Sequence, residues 1–181
     1  MKKNRSLAVL TTVAITGLLM FSVPAIAQQS LKLSDPEVAS VAVTANQIDI
    51  DYAEIALTNS KNADILKFAR TMANDHKAVI AQAVALVTKL KVTPQTNNLT
   101  QKLLTDAEKT KKELRSKKGK AFDKAYINNE VAYHKAVISV VESILIPETD
   151  NAEVRSLLQN VVPALKTHLS HAEMLQKMIH K

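Results

Sequence analysis

Apolar residues recur at intervals of three and four positions along four long stretches of the chain. The stripes run over residues 38–55, 65–90, 122–145 and 154–179. This spacing places the apolar side chains on one face of an α-helix. No stretch alternates apolar and polar positions with β-branched residues, as a half-buried strand would. The pattern predicts four long amphipathic helices and an all-α fold.

Capping and helix-breaking residues divide these stretches. Ser34 or Asp35 is a suitable N-cap for the first helix, and Pro36 suits its first turn. Residues 58–64 form a polar turn, and Pro94 ends the second helix. A short, charged helix is predicted over about 99–114. Short turns between long helices predict an antiparallel four-helix bundle, with this short helix as an additional element.

Two prolines affect the second half of the bundle. The fourth helix in chain order is predicted over about 121–146. A turn follows in "PETDN" at 147–151. The last helix is predicted over about 152–179. Pro163 lies inside it, and we expect a kink or a restart there because proline removes one backbone hydrogen bond.

The N-terminus has the three-part layout of a secretory signal peptide. A basic start is followed by an apolar run at 7–21 and by the small residues Ala25 and Ala27. We expect a signal peptide at 1–27, a flexible segment at 28–34 and a helical-bundle domain at 35–181. The alternative is a retained N-terminal anchor, although the run is shorter than the roughly 20 residues of a membrane span. The expected location is the periplasm.

Composition narrows the chemistry. The chain has no cysteine, which excludes disulfides, thiolate metal ligands and thiol nucleophiles. Its formal net charge is +7, and many lysines fall within Lys109–Lys120. No aromatic residue is interleaved there to stack on bases, so nucleic acid is not an expected partner. This stretch is interpreted as a solvated helix end, with weak contact to an anionic envelope surface as the alternative. No later apolar run is long enough to span a membrane.

Histidine is the unusual residue on the apolar stripes. His76, His134 and His168 each occupy a stripe position, and Glu130 lies one turn before His134. Buried polar groups need partners, and a metal ion is one such partner. Imidazole and carboxylate ligands suit Zn, Fe, Mn or Cu. The sequence therefore predicts a metal site of His76, His134, His168 and Glu130, with a purely structural polar cluster as the alternative.

The heights of the histidines along the bundle allow this site but do not require it. If the turns lie near Ser60 and Glu148, His76 faces the region of Thr44, while His134 lies 14 residues before the second turn and His168 20 residues after it. The two histidines would then differ by roughly 9 Å in height. With these turn positions, a compact three-histidine site requires a smaller difference in height between His134 and His168.

Carboxylates of the first two helices are further candidate partners for these histidines. Asp51 and Glu54 flank its stripe, and Asp49 lies farther round the helix. On the second helix, Asp75 adjoins His76 but points about 100° away from it. The predicted site includes none of these carboxylates.

Other site chemistries lack their motifs. No Glu-x-x-His occurs, which argues against the carboxylate-bridged di-iron centres of helical bundles. The chain also has no glycine-rich phosphate loop and no recognisable Ser-His-Asp arrangement.

Four motifs in order resemble those of a bacterial exported family known as domain of unknown function 4142. They are "ANQIDIDYAEIA" (45–56), "FARTMANDH" (68–76), "FDKAYINNEVAYH" (122–134) and "LKTHLSHAEML" (165–175), and the resemblance covers about 35–177. It implies a ferritin-like helical fold and a predicted outer-membrane association. The family pattern's histidines fall on the same three stripe positions.

These observations favour a non-enzymatic protein of the bacterial envelope that binds a metal ion or a partner, in connection with envelope stress. The alternative is a metal-dependent oxidoreductase of the ferritin-like type. The absence of Glu-x-x-His argues against that alternative. The sequence carries no pattern that predicts an oligomeric state.

Overall fold

The protein is an all-α bundle in a computed structural model that describes residues 32–180. This confirms the predicted fold class. The predicted signal peptide at 1–27 lies outside the described residues, as does most of the segment 28–34. The helices are α1 (Asp35–Asn59), α2 (Ala63–Lys89), α3 (Asn98–Ser116), α4 (Gly119–Val140), a π-helical turn (Val141–Leu145), the short α5 (Ile146–Glu148) and α6 (Ala152–Ile179). Between residues 32 and 180, no helix is both long and apolar enough to cross a membrane.

Two helical hairpins form the bundle. The most extensive helix contacts join α1 to α2 and α4 to α6, and α3 packs mainly on α1. The Ser34 backbone N–H and hydroxyl both donate to the Glu37 carboxylate at the start of α1, at 2.9 and 2.8 Å. Asn62 caps α2 by accepting from the backbone N–H of Asp64 and Ile65. The polar residues identified as caps therefore satisfy helix ends that have no intrahelical partners.

The second hairpin departs from the predicted boundaries. A π-helical turn follows α4, and helical structure then continues through Pro147 to Glu148. The turn is therefore Thr149–Asn151. Its centre lies two residues later than Glu148, the turn position assumed from the sequence. Its backbone is held by the Asp35 carboxylate, which accepts from the N–H groups of Asp150 and Asn151 at 2.9 and 3.0 Å. α6 has the predicted bounds and continues across Pro163 instead of restarting there.

Polar ties also fasten the opposite end of the bundle. The Ser60 hydroxyl, in the α1–α2 turn, donates to the Asp123 carboxylate of α4 at 2.6 Å, and both residues are buried. Together with the Asp35 contacts, this bond ties the two hairpins to each other near both ends. These ties set the height at which α2 side chains face those of α4.

The apolar interior consists of two clusters at different heights. One surrounds Phe68, Phe122 and Tyr126, towards the α1–α2 turn. The other surrounds Val141 and Leu158, towards the α5–α6 turn. Along α4 and α6, the stripe histidines fall between the two clusters in sequence. The interior therefore changes from apolar to polar in the middle of the bundle.

The Ser60–Asp123 contact gives a test of how the hairpins are fastened. We expect Ser60→Ala to lower the free energy of unfolding by about 1–3 kcal/mol, because it leaves a buried carboxylate oxygen without its donor. Urea denaturation would measure the loss. Thr58→Ala is the control, since the Thr58 hydroxyl is exposed and bonds only within its own helix. Equal effects of the two substitutions would contradict the role given to Ser60.

Candidate metal centre

Three helices bring the predicted histidines together in the middle of the bundle. His76 of α2, His134 of α4 and His168 of α6 have ring centroids 5.4–5.8 Å apart. One nitrogen from each ring lies within 4.8 Å of the others. The three residues are only 4%, 1% and 7% exposed. Such spacing and burial suit a single ion held by three imidazoles.

The expected 9 Å difference in height between His134 and His168 is wrong. With the turn centred on Asp150, His134 lies 16 residues before the centre and His168 lies 18 after it. Two residues correspond to about 3 Å of helix. The first hairpin shifts likewise: centred on Lys61, His76 lies level with Asn46 and not with Thr44. Turn position therefore decides how close in height the His134 and His168 rings lie.

Each histidine is held by one ring nitrogen. His76 Nδ1 lies 2.7 Å from Asn46 Oδ1, His134 Nδ1 lies 3.0 Å from the Glu130 carbonyl oxygen, and His168 Nε2 lies 2.9 Å from Asp75 Oδ2. Because all three partners accept hydrogen bonds, these nitrogens carry the protons and donate. Histidines that bind metals are oriented in the same way by an acceptor on the other nitrogen.

The remaining ring nitrogens face inward with free lone pairs. His76 Nε2, His134 Nε2 and His168 Nδ1 are buried and have no hydrogen-bond partner among residues 32–180. Three unsatisfied acceptors in one interior are costly unless a proton or a cation lies between them. The three predicted histidines thus present the donor atoms that a transition metal uses.

Asp49 is the site residue that the sequence reasoning missed. It lies on α1 with an exposure of 0%, and its Oδ2 is 3.3 Å from His76 Nε2 and 3.5 Å from His134 Nε2. Neither carboxylate oxygen has a hydrogen-bond partner within the described part of the chain. When Asp49 is ionised, lone pairs of imidazole and carboxylate face each other here. The arrangement suits a cation bound between them.

The position of Asp49 explains why it escaped prediction. α1 is covered by both α2 and α3, so it buries several faces and has no single apolar stripe. The signal that could have identified Asp49 is its place between the two apolar residues Ile48 and Ile50. Asp51 and Glu54, which flank the expected stripe, contact Lys111 and Lys77 instead.

Glu130 lies beside His134 as a second buried carboxylate. Its exposure is 0%, and its Oε2 is 3.6 Å from His134 Nδ1. With Asp49 and His134 it forms a second group of potential ligand atoms within 4.8 Å of one another. The predicted residue therefore joins the site on the side of Asp49 and His134.

Burial also sets the charge of these groups. It lowers the pKa of His76 to about 3, helped by the neighbouring imidazoles, and that of His134 to about 4. It raises the pKa of Asp49 to about 8. Burial and the Asp49 charge raise the pKa of Glu130 well above its usual value. Near pH 7 the metal-free imidazoles of His76 and His134 are therefore neutral, as metal ligation requires.

The other two histidines lie outside this cluster. The His171 ring packs edge-on against Phe68 with centroids 5.1 Å apart. His180 Nε2 lies 3.0 Å from Asn128 Oδ1 on the surface. His171 lies on the same helix as His168 and is therefore a natural control for substitutions in the cluster.

The raised pKa of Asp49 predicts the pH dependence of the metal-free protein. The folded state keeps the Asp49 proton up to about pH 8, whereas the reference pKa of aspartate is 3.8. Holding this proton stabilises the folded state. This contribution is complete below the unfolded pKa of 3.8 and is lost progressively as the pH rises to about 8. We expect the free energy of unfolding of Asp49→Asn, relative to that of the wild type, to rise by about 1 kcal/mol per pH unit between pH 6.5 and 8. Both proteins contain the same histidines, so their contribution cancels from this difference.

Urea denaturation of both metal-free proteins at pH 6.5, 7.5 and 8.5 would measure this difference. Asp51→Asn is the control, because Asp51 lies on the same helix and is partly exposed. Parallel pH profiles for the wild type and Asp49→Asn would show that Asp49 is not protonated in the folded state.

Comparison with known proteins bears on the fold. A search of curated proteins finds no match. Among solved structures, one described as "CopM in the Cu(II)-bound form" is similar, with a TM-score of 0.62 and 17% sequence identity. The alignment covers 81% of this chain and 98% of that one. At this identity the likeness concerns the helical fold.

Family comparison agrees with the four ordered motifs noted in the sequence. The model of the domain of unknown function DUF4142 matches residues 22–175, which is most of the chain. The protein therefore belongs to the DUF4142 family.

Proposed function

We propose that this protein binds a divalent transition-metal ion through the inward-facing nitrogens of His76, His134 and His168 and a carboxylate oxygen of Asp49. One observation carries the proposal: each histidine is held through one nitrogen, while the other is buried and has no donor among the described residues. A structural cluster would pair these atoms with one another. The single proton that Asp49 holds near pH 7 can satisfy only one of these nitrogens, whereas a cation satisfies all of them.

Copper(II) is the first metal to test. Imidazole and carboxylate ligands accept several divalent metals, and copper(II) binds most tightly along the first-row series. The similar solved structure is described as Cu(II)-bound, which makes copper a reasonable first choice for this fold. Zinc, iron and manganese follow as competitors for the same ligands.

The proposed role is binding rather than catalysis. We place the protein in the periplasm, associated with the outer membrane, where it would bind metal under envelope stress. The signal-peptide pattern at 1–27 supports export. Contact of Lys109–Lys120 with an anionic envelope surface belongs to the same proposal. The alternative, a metal-dependent oxidoreductase, would require reversible redox chemistry of the bound metal.

Titration of metal-free protein, purified without a histidine tag, tests the ligand set. Calorimetry with copper(II) should show one ion per chain. We expect His76→Ala, His134→Ala and His168→Ala each to weaken binding at least 100-fold, because each removes a donor atom. His171→Ala is the matched control and should bind like the wild type. Stoichiometric, redox-active iron would instead favour the oxidoreductase.

His76→Leu separates a metal site from a structural cluster. If the cluster is a metal site, this variant loses copper while the metal-free protein melts at the same or a higher temperature, because leucine suits the apolar stripe. A variant that melts like the wild type and still takes up copper would overturn the proposal.

The partner of His168 gives a finer test. Asp75 is about half exposed, yet its carboxylate accepts from His168 Nε2. We expect Asp75→Asn to weaken copper binding by about 10–100-fold without changing the stoichiometry, as loss of such partners does elsewhere. Asp64→Asn, also on α2 and exposed, is the control. If both variants bind copper equally well, Asp75 does not orient the ligand.

A further inference from the structure

A large cavity adjoins the histidine cluster. Its volume is about 520 Å³, and side chains of α1, α2, α4 and α6 line most of it. The walls are mainly apolar, among them Val41, Ala83, Val141, Leu158 and Leu165. The three histidines and Asp49 also line it, so the polar cluster forms one end of the same space. The cavity therefore extends well beyond what one metal ion would fill.

An interior space of this size is unusual in a small protein. Protein interiors are close-packed, with few voids larger than a water molecule. Roughly 17 water molecules, at about 30 Å³ each, would be needed to fill this volume. Apolar walls offer those molecules no hydrogen bonds, and the wall's buried polar atoms are gathered around the histidines. An apolar guest would fit the walls better than water does.

Small side chains leave openings to the surface. Ala78 of α2 and Ala164 of α6 are exposed and line the cavity, as do Ala132 and Ala136 of α4. Ala78 and Ala164 place one opening of the cavity between α2 and α6. Gln82, also exposed, lines the same opening and supplies a polar group there. A guest can enter without unfolding of the bundle.

We propose that this cavity binds the alkyl chain of a single-chain amphiphile, such as a medium-chain fatty acid. The volume falls within the roughly 300–1,000 Å³ of small-molecule sites, and the apolar walls suit a hydrocarbon chain. A charged head group buried near the histidines would lose its hydration, which is costly. The head group therefore stays at the α2–α6 opening beside Gln82, and the chain points inward. This binding does not depend on the proposed metal.

Titration of the metal-free, full chain with dodecanoate below its micelle concentration tests the proposal. Calorimetry should show one dodecanoate per chain. Ala83→Phe places a ring inside the cavity and should weaken binding at least tenfold while raising the melting temperature, because it fills empty space. Ala85→Phe is the matched control: it lies on the same helix, is exposed and does not line the cavity. It should bind like the wild type.

A second variant keeps the test decisive if Ala83→Phe folds poorly. Ala164→Phe narrows the opening from an exposed position and should also weaken dodecanoate binding at least tenfold. The proposal is overturned if the wild type does not bind dodecanoate or if Ala164→Phe binds it unchanged. A fall in the melting temperature of folded Ala83→Phe would likewise overturn it, since overpacking would show that the space is absent. Because these measurements use metal-free protein, they are independent of the copper result.

Discussion

The burial of five ionisable side chains in the middle of an apolar bundle is the constraint on which the site depends. Three imidazoles and two carboxylates share an interior from which water is largely excluded. In such a medium every charge and every unpaired lone pair is costly. The outer nitrogens of the histidines are satisfied by an amide, a carbonyl and a carboxylate oxygen. The inner atoms are satisfied only by protons or by a cation.

This arrangement opposes stability in the metal-free protein and favours binding. Burial keeps His76 and His134 neutral and holds protons on Asp49 and Glu130, so the cluster resists charge. A divalent ion would replace those protons, and its positive charge would balance the negative charge of the ionised carboxylates. Such a site binds metal more readily as the pH rises, because the carboxylate proton must leave first. The fold holds these groups in place through polar ties near both ends of its hairpins.

The polar cluster also divides the interior into regions with different packing. Towards the α1–α2 turn, aromatic side chains such as Phe68, Phe122 and Tyr126 fill the space completely. Towards the α5–α6 turn, alanines and valines leave a cavity that opens between α2 and α6. The filled region anchors the helices, and the open region gives access to the buried ligands.

The sequence by itself determined the all-α fold, a polar cap at the start of the first helix, and the three histidines on apolar stripes. These features follow from local periodicity and from side chains that bond to neighbouring backbone. Asp49 and the height of His168 could not be derived in this way. α1 is buried on several faces, and the π-helical turn with α5 moves the second turn to Thr149–Asn151. Only the tertiary structure decided that Asp49 and the three histidines meet, because a shift of a few residues in one turn moves a side chain by several ångströms along its helix.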